Sequence, residues 1–310
     1  MGFKRLAFLF TQLNSLLYLV SELVQHACDM LRYRADIRSL VYGAACLVLF
    51  ILNFRHGGIH PILYPLLLFF SFSTAIMAHN HNHLPMFKSN VLNVLWSHFL
   101  SFFYGHPVSV WVPVHNRNHH THTNAPGDWS ATYQHSKKNN LLSLVSYNWV
   151  AGAVEFKGAL RYFAGLRLKN PKAFALVCLE YIVWAGLILG FLLYDWRKAL
   201  LYLIIPGQLT VFSIHVFNYL QHVDTDYKSE WDHSRNFLGK WANRILFNNG
   251  YHTQHHTTPM MHWSRLPEAH QKIHYQIDPR LNERDPISFC FRTYILGKKR
   301  KPLKPIEITA

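Results

Sequence analysis

Four stretches of the chain are apolar over about the length that a helix needs to cross a bilayer. They occupy residues 38–55, 60–78, 172–194 and 199–220. Each is close to the roughly 20 residues that span a hydrocarbon core of about 30 Å. Only the short sequence HGGI separates the first two, and DWRK separates the last two. Because such short links join neighbouring helices, the pattern predicts two transmembrane hairpins.

Two further apolar stretches are interrupted. Residues 3–27 carry Thr, Gln, Asn, Ser and Glu side chains among the apolar ones, which indicates a partly amphipathic helix lying in the membrane interface. Residues 91–114 contain Pro107 and Pro113, and proline ends or kinks a helix. This segment therefore predicts a re-entrant or interface-lying helix, with a fifth and sixth span as the alternative.

Composition agrees with a membrane protein that also has a charged, water-facing part. Half of the 310 residues are hydrophobic, yet 31 are Lys or Arg. The sequence predicts an all-α integral membrane fold with four transmembrane helices in two hairpins, interfacial helices and a cytoplasmic helical cap. We expect a single membrane-embedded domain over residues 1–296 and a basic, flexible tail over residues 297–310.

The distribution of positive charge predicts the orientation in the membrane. The two tight links hold only Arg55, Arg197 and Lys198, and the other basic residues fall on the opposite side. Because cytoplasmic segments are enriched in Lys and Arg, both termini and the segment between the hairpins are predicted to be cytoplasmic. The net charge of +15 is then explained by the flanks of membrane helices. A lipid bilayer is the expected partner, and no nucleic acid is expected.

The chain contains 22 histidines, and eleven of them fall into three dense motifs or at the end of a span. The motifs are HNHNH (79–83), HNRNHHTH (115–122) and HTQHH (252–256), and His222 ends the fourth apolar stretch. The predicted topology brings all of these to one membrane boundary. Histidines three or four residues apart share a helix face, so each motif can present several imidazoles to one point. Two metal ions are the economical inference, since imidazole binds iron, zinc, copper and nickel.

The remaining histidines are weaker candidates. Single histidines are more often hydrogen-bonded or surface residues than ligands, and this applies to His26, His56, His60, His98, His106, His135 and His270. His215 differs because it lies inside an apolar stretch, where an ionisable residue indicates function. It is expected either to line a substrate cavity or to bond a backbone carbonyl.

Other metal chemistries are not supported by the motifs. The four cysteines are far apart and form no CxxC pair, so a zinc ribbon or a disulfide framework is not indicated. No HExxH is present, and EWDH (230–233) is a single Glu-x-x-His, whereas soluble di-iron bundles repeat that motif. A histidine-rich metal transporter is the alternative from another class, but transporters place their ligands at mid-membrane depth.

The three motifs together resemble those of the membrane fatty acid desaturase and hydroxylase superfamily, which includes the integral-membrane alkane hydroxylases. HNHNH is similar to an HxxxH box, HNRNHH to HxxxHH and HTQHH to HxxHH, while FNYLQH (217–222) resembles the additional histidine of that superfamily. The resemblance implies a non-haem centre of two iron ions that activates O2 as co-substrate and attacks an unactivated C–H bond. It implies nine ligands, which are His79, His83, His115, His119, His120, His222, His252, His255 and His256.

Ligating imidazoles usually donate their second N–H to a carboxylate, a carbonyl or water. The nearest carboxylates in sequence are those of Asp224 and Asp226, just after His222, with Asp128, Asp232 and Glu268 further away. Amide side chains are candidates to bond a metal-bound water, and these are Asn218, Gln221, Asn248 and Asn249. His81 and His122 fall outside the superfamily spacing and are expected to lie around the ligands or at the surface.

The resemblance also implies a substrate class and an electron donor. A fatty acyl chain is expected, as a free acid, an acyl thioester or an acyl lipid. The chain carries no haem-binding or iron–sulfur motif, so electrons are expected from a separate protein such as a ferredoxin or a cytochrome. Desaturation is preferred on the desaturase-like third motif. Hydroxylation, or oxidative decarboxylation to a terminal alkene, stays open because all three begin with hydrogen abstraction.

Overall fold

Helices make up most of the computed structural model, which describes residues 18, 22, 24–134, 136–299 and 303. The longer helices are α1 (Ile37–His56), α2 (Leu63–His83), α3 (Asn90–Tyr104), α4 (Leu141–Lys169), α5 (Pro171–Ala199) and α6 (Ile205–His222). The shorter ones are α7 (Lys240–Ile245), α8 (His252–Thr257), α9 (Leu266–Gln271) and α10 (Pro286–Cys290). Most of the predicted interfacial helix at 3–27 and most of the tail at 297–310 lie outside the described residues.

The first hairpin is formed by α1 and α2. Arg34–His56 and Leu63–His83 are both long and apolar enough to cross a membrane. Gly57 ends α1 with φ 78°, a left-handed conformation that glycine adopts without a steric penalty. The buried Asn53 amide donates to the carbonyls of Leu49 and Leu63, which fixes the link. Because α2 continues beyond the predicted span end at residue 78, the first histidine motif lies on its last turn.

The third candidate span is a helical run of 52 residues, Pro171–His222, which contains both remaining predicted spans. The Glu180 carboxylate accepts from Ser101 at 2.6 Å, and Gly207 lies against Gly105. Glu180 and Gly207 would be about 40 Å apart in a straight helix, whereas Ser101 and Gly105 are one helical turn apart. The run therefore folds back on itself, and the break is at Asp195, whose φ of −156° and ψ of 93° are not helical.

The segment predicted at 91–114 is an α-helix followed by a π-helix. The helix α3 has 15 residues and is therefore about 22 Å long. It is not one of the helices of the described residues that are long and apolar enough to cross a membrane. After a 3₁₀ turn, Val112–His119 form a π-helix. The backbone N–H groups of Val108 and Ser109 donate to the Glu180 carboxylate at 3.0 and 3.2 Å. Glu180 thus fixes the start of the segment that carries the second histidine motif.

The 29-residue helix α4 was not predicted. The Asn140 side chain caps it by accepting from Ser143 N–H. Tyr147 faces inward and is fully buried, while Trp149 and Phe156 are 63% and 60% exposed. Glycines and basic residues interrupt the apolar pattern of α4, which is why its sequence alone did not indicate a single long helix.

Beyond α6 the chain forms a cap of short elements. Two-residue strands β1 (Asn236–Phe237) and β2 (Asn282–Glu283) pair in parallel, a small departure from the all-α prediction. The buried Arg235 guanidinium donates to the carbonyls of Leu220 and Val223, which ties the cap to the end of α6. These contacts place α8, with the third histidine motif, beside the ends of α2 and α6.

Replacing Gly207 by alanine is expected to destabilise the protein by about 1–3 kcal/mol. A Cβ at Gly207 would lie 2.7 Å from the Cα of Gly105, so α3 and α6 must separate. The measurement is the thermal unfolding midpoint in detergent. Gly190→Ala in α5 is the matched control, because its Cβ meets no atom within 4 Å, and its midpoint should not fall. Equal midpoints for both variants would contradict this prediction.

Candidate metal centre

The nine histidines that the sequence indicated as ligands come together in two groups at one end of the helices. Within each group the coordinating atoms lie within 4.8 Å of one another. The larger group consists of His79, His83, His115, His120 and His255, and the smaller of His119, His222, His252 and His256. Each group draws on two or more motifs far apart in sequence, so the grouping depends on the tertiary fold.

The local conformation decides how a motif divides between the groups. The second motif is a π-helix up to His119. His115 and His120 are five residues apart and therefore share a face of this helix, and both belong to the larger group. The adjacent His119 points to the smaller group. In α8, His252 and His256 are one turn apart and join the smaller group, while His255 joins the larger one. Motifs two and three thus bridge the two groups.

The imidazole nitrogens lie too close to too many neighbours for pairwise hydrogen bonds alone, and each group could hold a metal ion. In the larger group the Nε2 atoms form a chain with contacts of 2.9–3.1 Å, in the order His79, His255, His120, His115. A second chain, with the same range of distances, runs through His119, His222, His252 and His256. A neutral imidazole nitrogen either donates or accepts once, so the middle members cannot satisfy both neighbours. Such close approach suits nitrogens that would each bind one shared ion at about 2.1 Å.

Five of the grouped histidines outside the candidate spans have a pKa that favours the neutral imidazole. Burial lowers the pKa of His115, His120 and His255 well below its ordinary value, and the neighbouring imidazoles lower it further. The same causes act on the pKa of His252 and His256. A neutral imidazole keeps the lone pair that a metal needs. His83 Nε2 is also buried and has no hydrogen-bond partner among the described residues, as expected for an atom that faces an ion.

The carboxylate that forms a hydrogen bond with one of the grouped histidines is that of Asp128. We expected Asp224 in this role. His119 Nδ1 donates to Asp128 at 2.9 Å, and both side chains are buried. Burial alone would raise the pKa of Asp128, but His119 and the backbone N–H groups of Asn124 and Ser130 lower it below its ordinary value. Asp224 has a left-handed backbone, with φ 59°, and its carboxylate accepts from Asn139 at 2.6 Å.

A second ligand is oriented by a backbone carbonyl. His222 Nδ1 donates to the carbonyl of His233 at 3.2 Å. His233 itself is buried, and its ring lies 5.4 Å from that of His256. In the sequence, His233 stands out only as part of EWDH, and no local spacing links it to the three motifs. His222 is thus held by a residue that the sequence did not indicate.

Some of the other residues that we expected around the histidines lie beside the two groups, and others have contacts elsewhere in the fold. Asn218 and Gln221 line a cavity beside the ligands, and the Asn249 side chain interacts with the His79 imidazole. Asn248 lies further out and donates to the Trp263 carbonyl. His122 belongs to neither group and packs on Gly127.

The more distant carboxylates and the buried His81 have structural contacts. Asp226 and Asp232 accept from the backbone N–H groups of Lys228 and Asp278, and the exposed Glu268 pairs with Lys272. His81 accepts from Met86 N–H. These contacts hold turns and surface segments, and they are not directed at the two histidine groups.

A cavity of about 230 Å³ ends at the two histidine groups. His79, His115 and His252 form part of its wall, so both groups border it. Much of the rest is apolar and includes Ile76, Trp111, Val114, Phe156, Ile214 and Phe217. His215 also lines the cavity. Its Nδ1 donates to the Val211 carbonyl at 2.8 Å, which confirms the expected bond to a backbone carbonyl.

Comparison with known proteins identifies the family. No curated protein matches the chain. The sequence model of the family described as fatty acid desaturase matches residues 57–284, which is more than half of the 310 residues. The match contains all three histidine motifs, His222 and Asp128. The chain therefore belongs to the fatty acid desaturase family.

Proposed function

We propose that the protein is a membrane-bound di-iron oxidoreductase that uses O2 to desaturate a fatty acyl chain. The observation that carries this proposal is the cavity, whose apolar wall ends at both histidine groups. Nine imidazole donors in two groups fit two iron ions. Bound iron would supply the activation of O2 for attack on an unactivated C–H bond.

The side chains of this protein would orient the substrate and keep water out. His79, His115 and His252 border the cavity, so a substrate carbon held against this part of the wall would lie beside both groups. The apolar wall excludes bulk water and leaves few groups that could compete for the activated oxidant. Asp128 keeps His119 in the tautomer whose Nε2 faces the smaller group. Such fixed positioning of reactant and catalyst supplies part of the rate enhancement.

The electron balance requires a partner protein. Desaturation removes two hydrogens from the chain, and O2 takes them up with two further electrons and two protons to form two waters. We propose that a separate donor, such as a ferredoxin or a cytochrome, provides the second pair. The substrate is proposed to be a free acid, an acyl thioester or an acyl lipid.

The proposed arrangement in the membrane has four spans. The fold-back at Asp195 divides the 52-residue run into two arms, each of a length suited to one crossing. Both arms contact the first hairpin near its link, since Phe191 packs on Phe54 and the Tyr202 hydroxyl donates to the Gly58 carbonyl. The distribution of basic residues supports cytoplasmic termini and a cytoplasmic active site.

Incubation with fatty acids of varied length, a reductase system and O2 tests the proposal. We expect a product lighter by two hydrogens in mass spectrometry, and about two irons retained per chain, one for each histidine group. A gain of one oxygen would instead assign hydroxylation, and loss of the carboxyl carbon would assign decarboxylation. Readily exchanged zinc with no oxidised product would support a metal transporter and contradict the proposal.

A further inference from the structure

A polar cluster interrupts the apolar wall of the cavity. His215 Nε2 lies 3.0 Å from a Glu155 carboxylate oxygen, and each side chain is 14% exposed. Ser130 Oγ donates to the other Glu155 oxygen at 2.8 Å. All three residues line the cavity, and none belongs to either histidine group. The cluster bridges α4 and α6, which carry Glu155 and His215.

The hydrogen bonds of the cluster determine what it presents to the cavity. Val211 O can only accept, so His215 Nδ1 carries a hydrogen. His215 Nε2 and Glu155 then share one proton, whichever of the two atoms holds it. The hydrogen-bond donors of the cluster are therefore all engaged, either with acceptors of the cluster or with Val211 O. The groups that remain for a ligand are acceptors, namely lone pairs on the Glu155 and Ser130 oxygens.

The cluster lies at a definite distance from the histidine groups. His215 precedes His222 by about two turns of α6, which corresponds to roughly 10 Å along the helix. A carboxylate–imidazole pair in an apolar membrane cavity is costly to bury, and apolar residues of similar volume are often as stable. A pair retained at this position indicates a functional contact rather than a packing requirement.

On the basis of the proposed function, we propose that Glu155 and Ser130, with His215 holding Glu155 in place, accept a hydrogen bond from an O–H group of the substrate, either a hydroxyl or a carboxylic acid. A contact of this kind would fix the register of the chain in the cavity. The carbon placed beside the histidine groups would then be set by its distance from the O–H group. The cluster would thus determine the position of oxidation.

A substrate series tests this inference. The probes are a fatty acid, the corresponding alcohol, its methyl ether and the alkane, all of one chain length. The wild-type protein should prefer the acid or the alcohol over the ether and the alkane by at least about tenfold in kcat/KM, because one hydrogen bond to a charged group is lost. It should also oxidise the preferred compound mainly at one carbon. Which of the two compounds is preferred distinguishes a carboxyl from a hydroxyl.

Two variants identify the residues responsible. The apolar pair Glu155→Leu with His215→Phe should lose the preference and distribute oxidation over several carbons. Glu155→Gln keeps the bonds to Ser130 and His215, and should show an intermediate preference. Glu268→Gln, an exposed carboxylate far from the cavity, is the control and should behave as wild type. Iron content and gel filtration confirm that each variant is folded.

The outcomes separate this inference from the proposed function. If the wild-type protein oxidises neither these probes nor an acyl thioester or acyl lipid of the same chain length, the proposed function itself is wrong. If it oxidises only the thioester or the lipid, which have no O–H group at the end of the chain, the function stands and the inference is overturned. If it oxidises the probes without preference, or if the apolar pair keeps both the preference and the position of oxidation, the function stands and the inference is overturned. An apolar pair that retains iron but loses its selectivity supports the inference.

Discussion

Replacing His255 by alanine is expected to reduce turnover by at least about a hundredfold, since even residues that only support a ligand cost 10–100-fold. His255 Nε2 contacts the Nε2 atoms of both His79 and His120, so its loss opens the centre of the larger group. His252→Ala should have the same effect through the smaller group, because His252 contacts both His222 and His256. Turnover and iron per chain are the two measurements.

His122→Ala is the matched control for these ligand variants. His122 belongs to the second motif but to neither histidine group, and its ring packs on Gly127. Iron content and turnover should stay near the wild-type values. If His122→Ala loses as much iron as His255→Ala, membership of the two groups does not define the ligands. If His255→Ala keeps both irons and full turnover, the assignment of the larger group is wrong.

The helices and histidine groups were largely accessible from the sequence because their signals are local. A long apolar run predicts a span from composition alone, and the link DWRK coincides with the break at Asp195. The histidine spacing is likewise local, and all nine indicated residues fall into the two groups. The sequence could not indicate the division between the groups, since this depends on the π-helix at Val112–His119.

Contacts that depend on a reversal of the chain direction could not be predicted from the sequence in the same way. We favoured Asp224 because it follows His222 by two residues, but a left-handed residue turns its carboxylate toward Asn139. Thr123 and Asn124 are also left-handed, with φ of 43° and 64°, and they return the chain so that a later carboxylate reaches His119. Positive φ at non-glycine residues is uncommon, and sequence pattern gives little warning of it.

Exchange of Asp128 for asparagine is expected to lower iron affinity and turnover by about 10–100-fold. The two carboxylate oxygens accept from three N–H groups, those of His119 Nδ1, Asn124 and Ser130. An asparagine keeps one oxygen and lacks the negative charge, and its NH2 group would face at least one of these donors. The bond that orients His119 is therefore weakened. Iron loss to a chelator and turnover are measured beside Asp224→Asn, whose amide oxygen can still accept from Asn139. Because Asp224 contacts no ligand among the described residues, equal losses in the two variants would show that general destabilisation, and not the bond to His119, is responsible.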